Sequence, residues 1–462
     1  MSYTRELVDQ IIEFEKAVIP KEVIEQAKLY ILDNIGCALG GYATKEGKQI
    51  VKQAKQYRGA GESTIIGDGG VVSTPFACWA NSSLANLLDM DDVFAGTAHQ
   101  ANCLVPTALG LAEAEKKSGK DVLKAIILGF EVGSRIMMYS WPSPSKSRTY
   151  FPSTWQTFNA VTASGVLMGL GKQELYHAYG LAGTAPPIPI DMQKFVERPM
   201  GFSKNVFGWT TLSGIFWTQM AKSGAQGAAQ IFDGDAGFWA MLGSDFHDFS
   251  KLTENLGTKY NLLDTKYKPY PLCTWGHSSV DAFAKIVQQE QLRPEMMDSI
   301  LVKTLKRAVD FLASPKMDTM YDAQFSLPHA LSMVALGKKP GPEWMSYENI
   351  FSNAEAKSIA EKVKMEVDEE AEKIFNNEKG LAIPSEVIVT TKDGKIYRED
   401  LLYSKGSPKN PFTNDELIDK FKILSSSVLN ESKINEVINI VRNLDEMDDI
   451  SALMRVLRAS ED

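Results

Sequence analysis

The chain has 462 residues, and 49 lysines and arginines against 58 aspartates and glutamates give a formal net charge of −9 at pH 7. Hydrophobic residues make up 44% of the sequence and charged residues 23%, which is typical of a globular protein and excludes a disordered chain. The acidic balance offers no electrostatic basis for binding nucleic acid, and no apolar run reaches the roughly 18 residues that a membrane span needs. The length predicts two or three domains.

The four cysteines, Cys37, Cys78, Cys103 and Cys273, are too few and too scattered for a disulfide framework. We expect reduced thiols, as in cytosolic proteins. The first residues soon become charged and do not resemble a signal peptide. The sequence therefore predicts a soluble protein of the cytoplasm with neither a nucleic-acid nor a membrane partner.

Apolar residues at spacings of three and four predict helices through the first part of the chain. The predicted helices span residues 22–39, 82–90, 105–117, 121–140 and 157–170. Several are apolar nearly all round and rich in small residues, which predicts burial inside a helical bundle. Gly40 and Gly41 predict the end of the first helix.

The pattern changes after residue 267. Period-two alternation predicts strands at 299–306, 362–368, 386–390 and 395–397, and the Asp393-Gly394 pair predicts a hairpin between the last two. Helices are predicted among the strands at 280–291 and 324–336, and again near the end at 414–424 and 431–457. The sequence thus predicts a mainly α protein. A large all-helical domain comprises residues 1–267 and 406–462, and a smaller α+β domain is inserted at 268–405.

Residues 88–92 form an acidic cluster at the end of a predicted buried helix, and His99 follows it. Three buried carboxylates are costly unless they are paired or functional. One of them could orient the His99 imidazole and so form a proton-transfer pair. The alternative interpretation is a solvated helix end with an ordinary histidine.

A second polar cluster occupies residues 267–277, at the predicted domain junction where ligand sites are common. Its Lys268 and His277 would suit carboxylate binding and proton movement, or else the segment is a linker with a capping histidine. Lys204 lies among aromatic residues, and a lone lysine of this kind is more often a surface residue. The scattered histidines predict no metal site, and no P-loop, HExxH or GxSxG motif occurs.

Six segments resemble the MmgE/PrpD family, in family order and over most of the chain. They are Ile31–Gly41, Leu88–Asp92, Val105–Glu113, Gly129–Arg135, Lys268–His277 and Ala323–Leu327. The resemblance implies a helical domain with a smaller α+β lid, a site between them, and a homodimer. It also implies dehydratase, decarboxylase or epimerase chemistry, in which a proton moves at carbon next to a carboxylate without metal or organic cofactor.

The resemblance also implies roles for particular residues. Asp89 and His99 match the Asp and His of the family's DFDD…H segment, Lys204 matches a lysine ahead of a glycine-containing helix, and Lys268 and His277 match the KPYP…H segment. Lysines would neutralise substrate carboxylates and stabilise an enolate-like intermediate. A histidine could exchange the proton near neutral pH.

Five positions depart from the family pattern. Tyr150 stands where members often carry His, Val93 replaces a Thr, and Gln100 replaces the proline of a His-Pro dipeptide. Cys273 and His329 stand where the cis-aconitate decarboxylases of the family carry His and Tyr. These changes disfavour assignment to that decarboxylase and predict another substrate or another outcome of the proton chemistry.

Residues and resemblance together predict a cofactor-independent lyase of the dehydratase type that acts on a small di- or tricarboxylate. The predicted catalytic residues are Asp89, His99, Tyr150, Lys204 and His277, and the predicted substrate-binding residues are Lys268, Cys273 and His329. An epimerase, with Tyr150 and a histidine as bases on opposite faces, is the close alternative. A non-catalytic binding protein on the same fold is the third.

Overall fold

The computed structural model describes residues 2–14, 16–96, 98–143, 154–184, 198–241, 243–378 and 380–459. Within these ranges most of the regular structure is helical. The helices are α1 (Tyr3–Phe14), α2 (Lys21–Tyr42), α3 (Lys45–Ala54), α4 (Thr74–Asn86), α5 (Ala101–Ala114), α6 (Gly119–Met138), α7 (Thr157–Met168), α8 (Lys172–Thr184), α9 (Phe207–Lys222), α10 (Phe238–Met241), α11 (His277–Gln289), α12 (Lys306–Leu312), α13 (Met320–Ala323), α14 (Leu327–Ala335), α15 (Ala354–Ala360), α16 (Glu369–Asn377), α17 (Asn414–Ser425), α18 (Glu431–Arg442) and α19 (Ser451–Val456). The strands are β1 (Ser63–Thr64), β2 (Val71–Val72), β3 (Met297–Thr304), β4 (Val363–Val367), β5 (Ser385–Thr391) and β6 (Ile396–Leu401). The mainly α composition expected from the sequence is confirmed.

Helix α2 lies at the centre of the helical bundle. Its residues from Tyr30 to Gly41 are all buried, because α4, α5, α6 and α17 pack around it. The helix runs on to Tyr42, so the prediction that Gly40 and Gly41 end it is wrong. Their role is close packing: a Cβ on Gly41 would lie 2.1 Å from the Leu84 carbonyl oxygen of α4.

The larger sheet has the strand order β4-β3-β5-β6. Strand β3 pairs with β4 in parallel and with β5 antiparallel, and β5 pairs with β6 antiparallel. The predicted hairpin at Gly394 joins β5 to β6, and the positive φ of 84° at that glycine suits the tight turn. Helix α11 packs against β5 and β6, so one face of this sheet is covered by the helix that begins at His277.

The C-terminal helices return to the N-terminal part of the chain. Helices α17 and α18 pack against α2, and Lys420 of α17 places its Nζ 2.6 Å from Asp33 Oδ1 of α2, 387 residues away. The same Nζ donates to the Met90 carbonyl oxygen at 2.7 Å. The C-terminal helices therefore stabilise the segment that precedes His99. The domain boundaries at 268 and 405 stay a prediction.

The two connections between the helices and the larger sheet run side by side. The N–H of Tyr267 donates to the Gly406 carbonyl oxygen at 3.0 Å. A Cβ on Gly406, which has a φ of +83°, would lie 1.9 Å from the Tyr267 carbonyl oxygen. Only glycine permits this approach.

Two helix predictions need correction. The helix expected at residues 82–90 is α4, which begins earlier and ends at Asn86. The helix expected at 431–457 is interrupted after α18 by the turn Leu444–Glu446 and resumes as α19.

Among the described residues, no helix combines the length and the apolar character needed to cross a membrane.

Candidate active site

Asp89 lies in the turn that follows α4. Its backbone has a φ of 54°, and its N–H donates to the Asn86 carbonyl oxygen at 2.9 Å. Aspartate is one of the few residues other than glycine that adopts this left-handed conformation readily. Because the helix stops here, Asp89, Asp91 and Asp92 do not share a helix face, and each meets different partners.

Asp89 is buried between two lysines. Its Oδ1 lies 2.8 Å from Lys204 Nζ and its Oδ2 lies 2.8 Å from Lys268 Nζ. Burial alone would raise the pKa of Asp89, but the positive charges of Lys204 and Lys268 outweigh it and hold that pKa below the usual range. Two cationic groups from distant segments therefore converge on one ionised carboxylate.

Asp91 is the carboxylate that orients His99. The Nδ1 of His99 lies 2.6 Å from Asp91 Oδ2, and a carboxylate can only accept, so Nδ1 carries the donated proton. Asn102 Nδ2 and Asn86 Nδ2 also donate to Asp91, at 2.8 and 3.0 Å. Burial opposes the charge on Asp91, yet the charge and hydrogen bond of His99 keep the Asp91 pKa below its ordinary value. The pair leaves Nε2 of His99 as the nitrogen that can exchange a proton with a ligand.

Asp92 has a structural environment. It accepts hydrogen bonds from the Ala101 N–H at 3.0 Å, at the start of α5, and from the Tyr30 hydroxyl at 2.9 Å. Burial and the neighbouring charge of Asp91 raise the Asp92 pKa well above its ordinary value. Of the three carboxylates, Asp92 is thus the one most favourable to protonation.

His277 begins α11 and is fully buried. Its Nε2–H donates to the Leu272 carbonyl oxygen at 2.8 Å, whereas its buried Nδ1 has no hydrogen-bond partner among the described residues. Burial and the charges of Lys266 and Lys268 lower the His277 pKa well below its ordinary value. His277 is therefore a neutral imidazole with a lone pair on Nδ1.

Gln324 connects the segments that carry these groups. Its side-chain Nε2 donates to the Leu87 carbonyl oxygen at 2.7 Å. Its backbone carbonyl oxygen accepts from the Cys273 N–H at 2.9 Å. Cys273 is half-buried, and burial together with the charge of Asp89 raises the pKa of its thiol to about 11. The turn after α4 and the segment around Cys273 are thereby held together through one buried amide residue.

Comparison with known proteins identifies the family of this chain. Residues 5–248 match the MmgE/PrpD N-terminal domain, and residues 270–446 match the MmgE/PrpD C-terminal domain. The chain belongs to the MmgE/PrpD family. Its curated relatives include the human cis-aconitate decarboxylase, 25% identical over 453 residues, which cover 94% of this chain and 90% of the relative. The mouse cis-aconitate decarboxylase is 24% identical over 453 residues, with 94% and 89% covered. That of Aspergillus terreus is 22% identical over 465 residues, with 95% and 92% covered.

Most of the residues predicted from the MmgE/PrpD resemblance lie in this region. Hydrogen bonds or close charges join Asp89, Lys204 and Lys268 directly and bring His99, His277 and Cys273 into their electrostatic neighbourhood. Tyr150 lies outside the described residues. The roles of all these residues stay predictions.

His329 has a different setting. Its Nε2 lies 2.9 Å from the Trp344 carbonyl oxygen, and burial lowers its pKa to about 4. It lines a separate cavity together with Pro315, Asn349 and Phe351. None of the contacts recorded for His329 in the described part of the chain is with Asp89.

The structure also contains one group of metal-ligand type, which the scattered histidines of the sequence did not predict. Ligand atoms of Asp89, Asp91 and His99 all lie within 4.8 Å of one another. Both oxygens of Asp89 already contact ammonium groups, so a cation here would have to compete with Lys204 and Lys268.

Proposed function

We propose that this member of the MmgE/PrpD family is a lyase of the dehydratase type that acts on a small di- or tricarboxylate. The observation that carries the proposal is the His99–Asp91 pair beside the Asp89–Lys204–Lys268 cluster. A proton-exchanging imidazole and two ammonium groups are the parts that proton transfer next to a carboxylate requires. The names of the relatives support a small carboxylate as the substrate.

In the proposed reaction, Nε2 of His99 removes or returns the proton on the carbon beside a substrate carboxylate. The negative charge that develops spreads onto that carboxylate, which Lys204 and Lys268 stabilise. In this proposal both lysines keep their contacts to Asp89 and also bind the substrate carboxylate. In a dehydratase the electron pair of the former C–H bond then forms the alkene, the C–O bond on the adjacent carbon breaks, and the hydroxyl leaves as water with the proton that Nε2 of His99 carries. No cofactor is needed for these steps.

Deuterium exchange tests this function. The protein is incubated in D₂O with cis-aconitate, citrate, 2-methylcitrate and small hydroxy-dicarboxylates, and proton NMR follows each compound. Deuterium entering beside a carboxylate, with a new alkene and loss of the hydroxyl, supports the dehydratase. Exchange with inversion and no new product indicates the epimerase, and release of CO₂ indicates a decarboxylase. His99→Ala is the matched inactive control, and absence of exchange with every carboxylate would contradict the proposal.

We also propose that the protein is a cytoplasmic homodimer. Trp209, Phe216 and Met220 are 54%, 47% and 38% exposed, and their spacings of seven and four residues place them on one face of α9. An exposed apolar face of this kind is typical of a protein–protein interface. The free thiols of the described cysteines suit a reducing compartment. Sedimentation equilibrium should show a dimer, and Phe216→Glu should shift it to monomer; an unaltered mass would contradict this interface.

A further inference from the structure

Lys266 is a buried lysine whose hydrogen bonds go to uncharged groups. Its Nζ donates to Thr274 Oγ1 at 2.7 Å and to Ser404 Oγ at 2.8 Å. The other buried lysines in the described part of the chain, Lys28, Lys204, Lys268 and Lys420, each contact a carboxylate. A buried ammonium without an ion-pair partner is costly, so its presence calls for a reason other than stability.

The position of Lys266 connects three segments. Its backbone N–H and carbonyl pair with those of Val93, at 2.9 and 2.8 Å, directly after the acidic turn. Thr274 begins the short turn that leads into His277 and α11. Ser404 follows β6, where the chain leaves the larger sheet. One residue therefore bonds to the turn that carries the acidic residues, to the turn that carries His277, and to the end of the sheet.

Lys266 also acts on His277 through its charge. The titratable groups that face Lys266 are Lys268, Asp281, the neutral thiol of Cys273 and His277 itself. Burial, together with the charge of Lys268, lowers the Lys266 pKa to about 7. A positive charge beside the His277 ring disfavours a second proton on that ring. The ring is thereby kept in the form that has a lone pair on Nδ1.

We propose that Lys266 is a positioning residue of this site, which fixes the turn carrying His277 against the acidic turn and keeps the Nδ1 lone pair of His277 available to the substrate. The catalytic part of this proposal rests on the proposed function, because a positioning role for Lys266 requires that His277 take part in that reaction. The hydrogen bonds of Lys266 to Thr274 and Ser404, and its charge effect on the His277 ring, do not depend on that function.

Lys266→Met tests the proposal, because methionine has a similar length without the charge or the hydrogen bonds. Lys28→Met is the matched control, since Lys28 is also buried but pairs with Glu25 and Asp445. Nitrogen-15 NMR of labelled histidine rings reads the tautomer and protonation of His277, and His277→Gln assigns its signal. In Lys266→Met we expect the ring to protonate at a pH higher by about one to three units, the scale of a neighbouring charge. Lys28→Met should leave the signal unchanged.

Activity provides the second measurement. Misplacing a reacting group by about 1 Å costs up to about 100-fold, so kcat for deuterium exchange should fall on that scale in Lys266→Met while KM changes less. Lys266→Arg, which restores the charge, should recover part of the loss. If Lys266→Met does not fold, Thr274→Val and Ser404→Ala remove the two acceptors singly, and a shift of the His277 signal in either supports the proposal.

An unchanged His277 signal in folded Lys266→Met, or in both hydroxyl variants, would overturn the positioning role. So would an equal loss of activity in Lys28→Met, because that would indicate a general effect of stability. A His277 signal that responds to Lys266→Met in a protein that exchanges no carboxylate proton supports the structural effect and overturns the proposed function. The two failures are therefore distinguishable.

Discussion

Replacement of Asp91 by Asn should disable His99 while changing the shape of the site very little. The Asp91 carboxylate accepts three hydrogen bonds, from His99, Asn102 and Asn86. An asparagine has one acceptor oxygen, so its NH₂ group must face either His99 or Asn86. If it faces His99, the imidazole must accept at Nδ1 and carry its proton on Nε2, which removes the base. If it faces Asn86, two donors oppose each other in a buried place, and His99 keeps its hydrogen bond but loses the negative charge that stabilises its protonated form.

The expected loss is about 10²–10⁴ in kcat, the contribution usual for general acid–base catalysis. One unsatisfied buried donor should also lower the free energy of unfolding by about 1–3 kcal/mol. Deuterium exchange gives the first quantity and urea unfolding the second. Asp92→Asn is the control, because Asp92 favours the neutral form and contacts Tyr30 and Ala101 instead of His99. Exchange within about twofold of the unmodified protein in Asp91→Asn would refute a role for this pair.

Three further predictions concern stability. Lys268→Met should lower the free energy of unfolding by about 3–5 kcal/mol in urea, because it leaves the Asp89 carboxylate buried with one of its two ammonium partners gone; no change would refute the importance of this ion pair. His277 has a lowered pKa when folded, so the unfolded chain binds the extra proton as pH falls below about 6.5 and stability falls with it. His277→Gln should flatten the dependence of Tm on pH in that range, and a Tm profile parallel to the unmodified one would contradict this. Gly394→Ala should lower the free energy of unfolding by about 1 kcal/mol, because of its positive φ alone. Gly406→Ala should lower it distinctly more in thermal unfolding, because its Cβ would also meet a backbone carbonyl oxygen. Equal losses would refute the close approach.

Periodicity predicted most elements of the fold to within a few residues, because burial of an apolar stripe is recorded directly in the sequence. Periodicity failed where tertiary contacts determine the end of a helix. The apolar run through Leu87 and Leu88 favours continuing α4, yet the helix ends at Asn86 so that Asp89 reaches lysines 115 and 179 residues away (204 − 89 and 268 − 89). Nothing in the local sequence records those partners.

The candidate site shows the same limit. The sequence indicates that a carboxylate orients His99, but spacing cannot choose among three acidic residues in five positions. The structure assigns this contact to Asp91, whereas Asp89 pairs with the two lysines. The sequence does not distinguish Lys266 from a surface lysine, because a lysine in a polar segment can be either buried or exposed. Its importance depends on Thr274 and Ser404, which only the fold brings to it.

The ion pair between Lys420 and Asp33 has a consequence for how the protein is made. Asp33 leaves the ribosome long before its partner, and burying its carboxylate without that partner would be costly. The set of contacts around α2 is therefore complete only after residue 420 has been synthesised, and the Met90 carbonyl oxygen gains its ammonium donor at the same late moment. Until then the side of α2 that α17 covers stays exposed, and exposed apolar surface makes a nascent chain prone to aggregation. A product truncated before α17 would expose that helix instead of folding into a smaller version of the bundle.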